Sequence, residues 1–535
     1  MNKLREYFPL LIAIGFYMLV VGVLLAIVVR HCGGLIYGLD DTYIHMAVAK
    51  NLARHGVWGI NPYEWSSPSS SPAYTLLLAI VFRIFGVNAW APLVLNIIAS
   101  VLLLTVLYSA LNKHAAGLAN WVKTGFLISA VLILPLPVLT LIGMEHIFHA
   151  LLIVILIDKF IDLVTEKNAN AQQILLFSVL SGAAIMTRYE SGFLLAPMFI
   201  ALLIKRKLIP ALGLALGISI PVRIFSMISE AHGAMTLPNS VLLKSEAGAP
   251  LASGPGLLGP ILNFMDRVYR GATIEPALLA FAAVFIIYLL RRLKPPRPVY
   301  YTGILITVTA LLGHFTFVYS GVQYRYTAYL IAVCLAASIP LLKCAEQSAP
   351  RMQKRIGLAL AFLVLCVFSI RAGSNLYQAP FASRNIHDQQ YQMGLFLRQY
   401  YTDRPVAVND IGAVDYLADL RTVDIVGLGN NTLARLMYCN RLSPSLYRAI
   451  IEQRHTCIAI IYDSWMYPQW RPRNWIPVCR WKIKNNYVCG DNTVTFYAAN
   501  PKYETELVRN LLAFAPHLPK SVQVQYNQSA SRAVK

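Results

Sequence analysis

The sequence predicts a polytopic α-helical membrane protein of about 11 transmembrane helices, followed by a C-terminal α/β domain on the extracytoplasmic side. Three observations predict it. The 535 residues are 57% hydrophobic and only 13% charged, against about 25% charged in soluble domains. Apolar runs long enough to span a bilayer alternate with short basic loops. After Arg371 the long runs stop, and short apolar strands alternate with helical segments.

The first run, Phe8–Val29, is about 22 residues, enough to cross. It is longer than the apolar core of a cleaved signal peptide, so it reads as a signal anchor. Asp40 and Asp41 come about ten residues later and open a helix over 41–55. Ile44, Val48 and Leu52 fall four apart with Ala47 beside them, while His45, Lys50 and Arg54 point elsewhere. That pattern fits a helix lying along the outer membrane surface. Asp before an apolar-periodic run is a common helix cap. One Asp suffices for a cap, however, and two adjacent carboxylates at a membrane edge are costly unless something uses them. The next run, Ala73–Phe85, has about 13 residues, carries Arg83 and falls short of a span. It is expected as a second interfacial or re-entrant helix over 73–86 on the same side.

Basic clusters occur at Lys3/Arg5, Lys113–Lys123, Lys159–Lys167, Lys205-Arg206-Lys207, Arg291–Arg297 and Lys343–Arg355. The positive-inside rule makes all of them cytoplasmic. The crossings are then Phe8–Val29, Trp90–Leu111, Val122–Leu141, His146–Leu163, Ile174–Arg188, Gly192–Ile204, Leu208–Ile228, Pro276–Leu290, Tyr300–Tyr319, Thr327–Leu342 and Ile356–Ile370. A cytoplasmic N-terminus in the plasma (inner) membrane puts the C-terminal domain outside. The net charge of +21 is explained by these loops and by anionic lipid head groups or a lipid phosphate, so no nucleic-acid partner is expected.

This topology collects polar groups on the outer face: Asp40/Asp41, Gly143-Met144-Glu145-His146, Thr187-Arg188-Tyr189-Glu190, the loop Ser229–Thr273 and Gln323-Tyr324-Arg325-Tyr326. Ionisable residues at apolar boundaries are functional candidates. Lys244 is either a point charge for a lipid phosphate or a snorkelling interfacial residue. Arg325 is either a guanidinium fork on that phosphate or a boundary Arg in an aromatic belt. Arg188 and Glu190 either meet substrate or pair with each other. Glu145-His146-x-x-His149 puts two His one turn apart, but not in the order of a zinc hydrolase. No metal and no cofactor is expected, and Glu145 and His146 are read as substrate contacts or packing.

Asp40-Asp41-x-Tyr43, Ala49-x-Asn51-Leu52-Ala53, His55-Gly56, Asn61-Pro62 and Ser71-Pro72-x-Tyr74-Thr75-Leu76-Leu77-Leu78 together resemble the first periplasmic loop of GT-C glycosyltransferases. The look is nearest to cell-wall arabinofuranosyltransferases, with protein O-mannosyltransferases and lipid A aminoarabinose transferases more distant. The resemblance implies that Asp41 or Asp40 is the catalytic base, with a single sugar moving from a polyprenyl phosphate to an acceptor hydroxyl and inverting. It implies a donor phosphate held by Lys244, Arg325 or Arg188, and substrate contacts from His55, Glu145, His146, Glu190 and Asn239. Asn239 enters through Pro238-Asn239, which resembles a Pro-Asn pair preceding a helix with a basic residue. The implied acceptor is an envelope glycan, lipid or protein, and the remaining partners are membrane lipids. An O-antigen ligase-like glycan transferase and a non-catalytic lipid-linked sugar transporter or flippase are the competing classes. A transporter would show repeated broken spans, and no internal repeat is visible.

The domain organisation expected is 1–371 in the membrane and 372–535 outside. In the second part Pro405–Val408, Thr422–Val426 and Cys457–Ile461 read as buried parallel strands, with Val478–Ile483 and Val494–Tyr497 as an antiparallel edge. Ser443–His455 and Tyr503–Phe514 read as helices, followed by a polar tail. Asn409-Asp410-Ile411-Gly412-Ala413 and Asp424-x-Val426-Gly427-Leu428 resemble the outer α/β domain of many such transferases, which implies acceptor recognition or a lid. Cys439, Cys457, Cys479 and Cys489 either form two disulfides outside the cell or remain buried thiols.

Overall fold

The computed structural model describes residues 2–166, 169–244, 283, 286, 297–318, 322–348 and 351–527. Its helices begin with α1 (Asn2–Cys32), α2 (Asp40–His55), α3 (Pro72–Phe85), α4 (Ala91–His114), α5 (Asn120–Ile133), α6 (Leu136–Ile142) and α7 (His146–Thr165). They continue with α8 (Ala171–Thr187), α9 (Gly192–Ile204), α10 (Leu208–Ala231), α11 (Asn239–Lys244), α12 (Arg297–Phe317), α13 (Ala328–Ser348) and α14 (Arg351–Ile386). The last are α15 (Gln392–Tyr400), α16 (Ala413–Leu417), α17 (Asn431–Tyr438), α18 (Pro444–Gln453) and α19 (Glu504–Phe514). The chain forms two compact units: Met1–Leu24 with Leu93–Ile224 and Lys244–Tyr377, and Leu25–Pro92 with Phe225–Leu243 and Gln378–Lys535.

The first unit is helical. Among the described residues, Glu6–Cys32, Ala91–His114, Asn120–Ile142 and Leu208–Ala231 are long and apolar enough to cross a membrane, and further apolar helices are shorter. The expected crossing Val122–Leu141 is interrupted at Pro135, which has no N–H to continue the ladder and separates α5 from α6. The expected crossing Pro276–Leu290 lies almost wholly outside the described residues. Ile356–Ile370 is only the middle of α14, which runs on to Ile386. Hydropathy marks where a helix leaves lipid, not where its hydrogen bonds end, so the run stopped short of the helix. Helix α7 packs on α8 and α13, and α9 packs on α12. Helices α8 and α10 approach through glycine: a Cβ on Gly217 would sit 2.2 Å from Ser178 O, and one on Gly182 2.5 Å from Gly217 O. Small residues at such crossings are how membrane helices bring backbones together.

In the second unit, α2 packs on α3 and on the short α16. The expected helices 41–55 and 73–86 are both present. Helix α2 is not one-sided, however, because His45 and Lys50 are as buried as its apolar stripe. His45 Nδ1 lies 2.9 Å from Ser69 Oγ and 3.1 Å from Thr75 Oγ1. Lys50 Nζ donates to Asp415 O at 2.7 Å, Tyr416 O at 3.0 Å and Asp419 at 3.0 Å. Of the polar face, His45 and Lys50 are covered by α3 and the C-terminal segment, while Arg54 stays exposed. Gly56 ends α2 at φ +70, the left-handed cap that favours glycine.

The sheet comprises β1 (Pro405–Val408), β2 (Arg421–Asp424), β3 (Ile458–Ile461), β4 (Ile476–Lys482), β5 (Thr493–Ala498) and β6 (Gln523–Tyr526) in the order β2-β1-β3-β5-β4-β6. Strands β2, β1 and β3 are parallel and the remaining pairs antiparallel, as the apolar runs predicted. The polar tail contributes β6 on the edge, whose alternate exposed and half-buried residues carry no apolar signal. Ala407, Val423 and Ala459 of the sheet pack with Ile451 of α18 and with Trp475 in a single core. Phe396 of α15 centres a second cluster with Trp481, Phe496 and Phe514, at ring distances of 5.5–5.9 Å. Cys439, Cys457, Cys479 and Cys489 are free thiols. Cys489 Sγ instead lies 3.3 Å from Gln390 Oε1, so the alternative with free thiols holds.

Candidate active site

Asp40 and Asp41 form the first turn of α2, where the helix dipole favours negative charge. Neither is the cap: Leu39 holds that position and no side chain caps it. Asp40 accepts hydrogen bonds from the backbone N–H of Gly412 and of Ala413, both at 2.8 Å. These N–H groups open α16, so Asp40 ties α2 to the loop after β1. Asp40 and Asp41 both keep part of their surface open to solvent. A third carboxylate, Asp410, comes from that same loop. It accepts from Gln390 Nε2 at 2.8 Å and lies 2.7 Å from the Tyr462 hydroxyl.

Gly412 is demanded by this junction. A Cβ there would fall 2.1 Å from Asp40 O and 2.6 Å from its carboxylate. Because the nearest atom is backbone, the neighbour has little room to yield. Gly412→Ala is therefore expected to cost about 1–3 kcal/mol, read as a lower thermal midpoint; an unchanged midpoint would contradict the close approach.

Burial makes charging this cluster costly. Asp40 is pushed up to about 8 by burial first and then by the charge of Asp410, against the pull of the two backbone N–H groups. Asp410 is raised as well, by burial first, with the charge of Asp41 adding to it and the bonds from Tyr462 and Gln390 opposing. Both lie above the unfolded value of about 4. The folded state therefore holds more protons through the window from about pH 4 to pH 8, and stability is lost as pH rises through it. The thermal midpoint is expected to fall between pH 5 and pH 8, and Asp410→Asn to flatten that slope. A slope identical in the variant would exclude Asp410 as its source.

The first unit holds a second cluster, built at the ends of α6, α8 and α13. Gly143 ends α6 at φ +73, and the chain turns there to present Met144 and Glu145. Arg188 follows α8 and donates from Nη1 to Glu145 at 2.6 Å and from Nε to Glu190 at 3.1 Å. Arg188 and Arg325 each place their guanidinium 4.9 Å from the centroid of the Tyr326 ring. Arg325 also bonds Tyr326 Oη at 3.1 Å and Met144 Sδ at 3.9 Å. His146 meets the Tyr326 ring edge-on at 5.8 Å, and His149 Nε2 lies 2.8 Å from Ser191 Oγ. Among the described residues, no group of three His, Cys, Asp or Glu is arranged to hold a metal.

Five of the residues singled out from sequence, Glu145, His146, Arg188, Glu190 and Arg325, thus meet around Tyr326. Others are placed elsewhere. His55 is exposed at the far end of α2, about 21 Å of helix rise from Asp41. Asn239 is buried, and its Nδ2 donates to Leu428 O and Asn431 Oδ1, both at 3.0 Å. It pins two loops together. Lys244 closes α11, and its side chain lies outside the described residues. Sequence reasoning missed Asp410 and Tyr326 as members of these clusters. Asp410 lay in a motif already singled out, and Tyr326 stood next to Arg325.

Apolar helices, an acidic turn opening the helix after the first span, and a C-terminal α/β sheet are a fold that the chain shares with solved structures. The apo structure of ArnT from Cupriavidus metallidurans is similar with a TM-score of 0.52 at 15% identity, covering 91% of this chain and 98% of that one. The oligosaccharyltransferase of Archaeoglobus fulgidus in complex with zinc and sulfate is similar with a TM-score of 0.50 at 13% identity, covering 94% and 74%. The same enzyme tethered to an acceptor peptide containing the NVT sequon gives 0.50 at 11%, covering 95% and 75%. Residues 384–497 match a domain family of unknown function, DUF8728. No curated protein matches the chain by sequence.

Proposed function

We propose that the protein is an integral membrane glycosyltransferase that moves a single sugar from a polyprenyl-phosphate donor to an acceptor hydroxyl on the outer face, with Asp41 as general base. The shared fold supports the class. The observation that carries the assignment within the pair is the double backbone bond to Asp40. Asp40 is occupied in holding α16, and Asp41 stands next to it at the positive end of α2.

The acceptor oxygen attacks the anomeric carbon from the side opposite the phosphate. The bond from that carbon to the phosphate oxygen breaks, and its electron pair leaves with the polyprenyl phosphate. The acceptor proton passes to the Asp41 carboxylate, and the anomeric centre inverts. A phosphate leaving group calls for charge stabilisation more than for a proton. Arg325 and Lys244 are the cations proposed for it. An outward-facing site is served by lipid-linked sugars, since nucleotide sugars are not supplied there.

The experiment is a panel of polyprenyl-phosphate sugars offered to purified protein and to Asp41→Asn. Sugar release from one donor, abolished in the variant, establishes the class and names the sugar. Turnover that survives in both Asp41→Asn and Asp40→Asn excludes the mechanism.

A further inference from the structure

The sheet of the second unit carries a cavity of about 590 Å³, within the range of roughly 300–1,000 Å³ that small-molecule sites occupy. Its position follows from the topology. Asn409 comes directly after β1, Ile425 and Val426 follow β2, and Tyr462 follows β3, and all four line it. The cavity therefore opens at the carboxyl ends of the three parallel strands. The order β2-β1-β3 makes that edge a topological switch point, because the chain leaves β1 to one side and returns on the other. Open α/β sheets bind ligands at such points.

The lining carries no charged residue, which argues against a phosphate or carboxylate ligand. It is rich in aromatic rings. Trp465 is 50% exposed and Tyr467 70% exposed, an unusual surface cost for large rings. Trp465 is held in place: a Cβ on Gly490 would fall 2.2 Å from its indole ring, so Gly490 lets the ring lie flat against the backbone. Trp470 is braced edge-on by Tyr447 at 5.5 Å. The polar groups are the amides of Asn409 and Asn440 and the hydroxyls of Tyr447, Tyr462 and Tyr467. Asn409 is 5% exposed, and its Oδ1 accepts from Tyr462 N–H at 2.9 Å. Its side chain also bonds the Asp410 carboxylate, so Asn409 holds the wall in place. The exposed Asn440 amide and Tyr467 hydroxyl are the polar groups that the wall offers to a ligand.

Rigid aromatic faces beside neutral amide donors match one chemistry, a neutral sugar ring, whose C–H face stacks on indole while its hydroxyls bond the amides. We propose that this cavity is the acceptor subsite and that it binds a neutral saccharide through Trp465, Trp470 and Asn440. As an acceptor subsite it rests on the transferase reading above; as a saccharide site it stands on its own lining. Its wall also reaches the carboxylates. Tyr462 lines the cavity, and its hydroxyl lies 2.7 Å from Asp410, the neighbour of the Asp40/Asp41 turn.

The test uses the full-length protein in phospholipid nanodiscs, because sugar-headed detergents would compete. The probes are methyl glycosides and neutral di- and trisaccharides of pentoses and hexoses, followed by tryptophan fluorescence and saturation-transfer NMR. At least one neutral saccharide is expected to bind saturably, and about tenfold more weakly in Trp465→Ala. Tyr467→Ala, at a more exposed position, serves as the second variant and Trp465→Phe as the conservative rescue. In turnover, Trp465→Ala is expected to raise the acceptor KM while leaving donor hydrolysis by water unaltered. No saturable binding across the panel overturns the proposal, as does binding indifferent to both aromatic variants or binding only of apolar or anionic probes. If Asp41→Asn keeps turnover while Trp465→Ala loses saccharide binding, the base assignment fails and the subsite stands.

Discussion

Asp41→Asn is expected to lower the transfer rate by about 10²–10⁴-fold, the usual worth of a positioned general base. That corresponds to about 3–5 kcal/mol of barrier. The amide keeps the shape and loses the basic oxygen, so the loss falls on kcat and leaves the donor KM in place. Asp40→Asn is expected to behave differently. Its two carboxylate oxygens accept from Gly412 and Ala413 N–H, and an amide has only one acceptor to offer. One backbone donor then loses its partner, at about 1–3 kcal/mol, and the thermal midpoint falls. The comparison of the two variants separates the roles. A larger rate loss in Asp40→Asn with an unchanged midpoint would reverse the assignment, and Asp41→Asn within tenfold of the parent rate would remove the base from this turn altogether.

The helices around this turn were legible because their signals are local. Hydrophobic period showed α2 and α3, and apolar length showed the first span. The three parallel strands appeared as short β-branched runs. What sequence could not show is which side of α2 faces protein. Lys50 reads as a solvated charge until the carbonyls of Asp415 and Tyr416 are brought to it. That contact spans hundreds of residues and leaves no periodic trace. The same holds for Asp40 and Gly412. Each belongs to a motif that was singled out, but nothing local says that the second glycine exists to let the first carboxylate in. His55 lies apart from Asp41 for the opposite reason. Its nearness to Asp41 in the motif is nearness along the chain, and a helix turns sequence proximity into distance. Edge strand β6 was read as tail because an edge strand with both faces half-wet has no hydrophobic alternation.

Arg188→Ala is expected to have the largest effect on folding. The substitution would leave Glu145, which is fully buried, and Glu190 facing one another without the cation that both now share. Removing one partner of a buried pair costs about 3–5 kcal/mol because the remaining charge stays desolvated. Here two carboxylates are stranded. Arg188→Lys is expected to recover little: an ammonium is a point charge, and it cannot fork to Glu145 and Glu190 while lying over the Tyr326 ring. The triple variant Arg188→Met, Glu145→Gln, Glu190→Gln removes all three charges together and is expected to restore the thermal midpoint, since well-packed neutral replacements of buried ion clusters are often tolerated. The fraction of monodisperse protein after heating, followed by size exclusion, measures each step. Arg188→Ala with an unaltered heating profile would mean that the two carboxylates are neutralised by something else. If the triple variant folds and transfers sugar, Arg188 serves only to brace Tyr326 and Arg325. If it folds and does not, the guanidinium meets the substrate as well, because loss of scaffolding alone would have been repaired together with the fold.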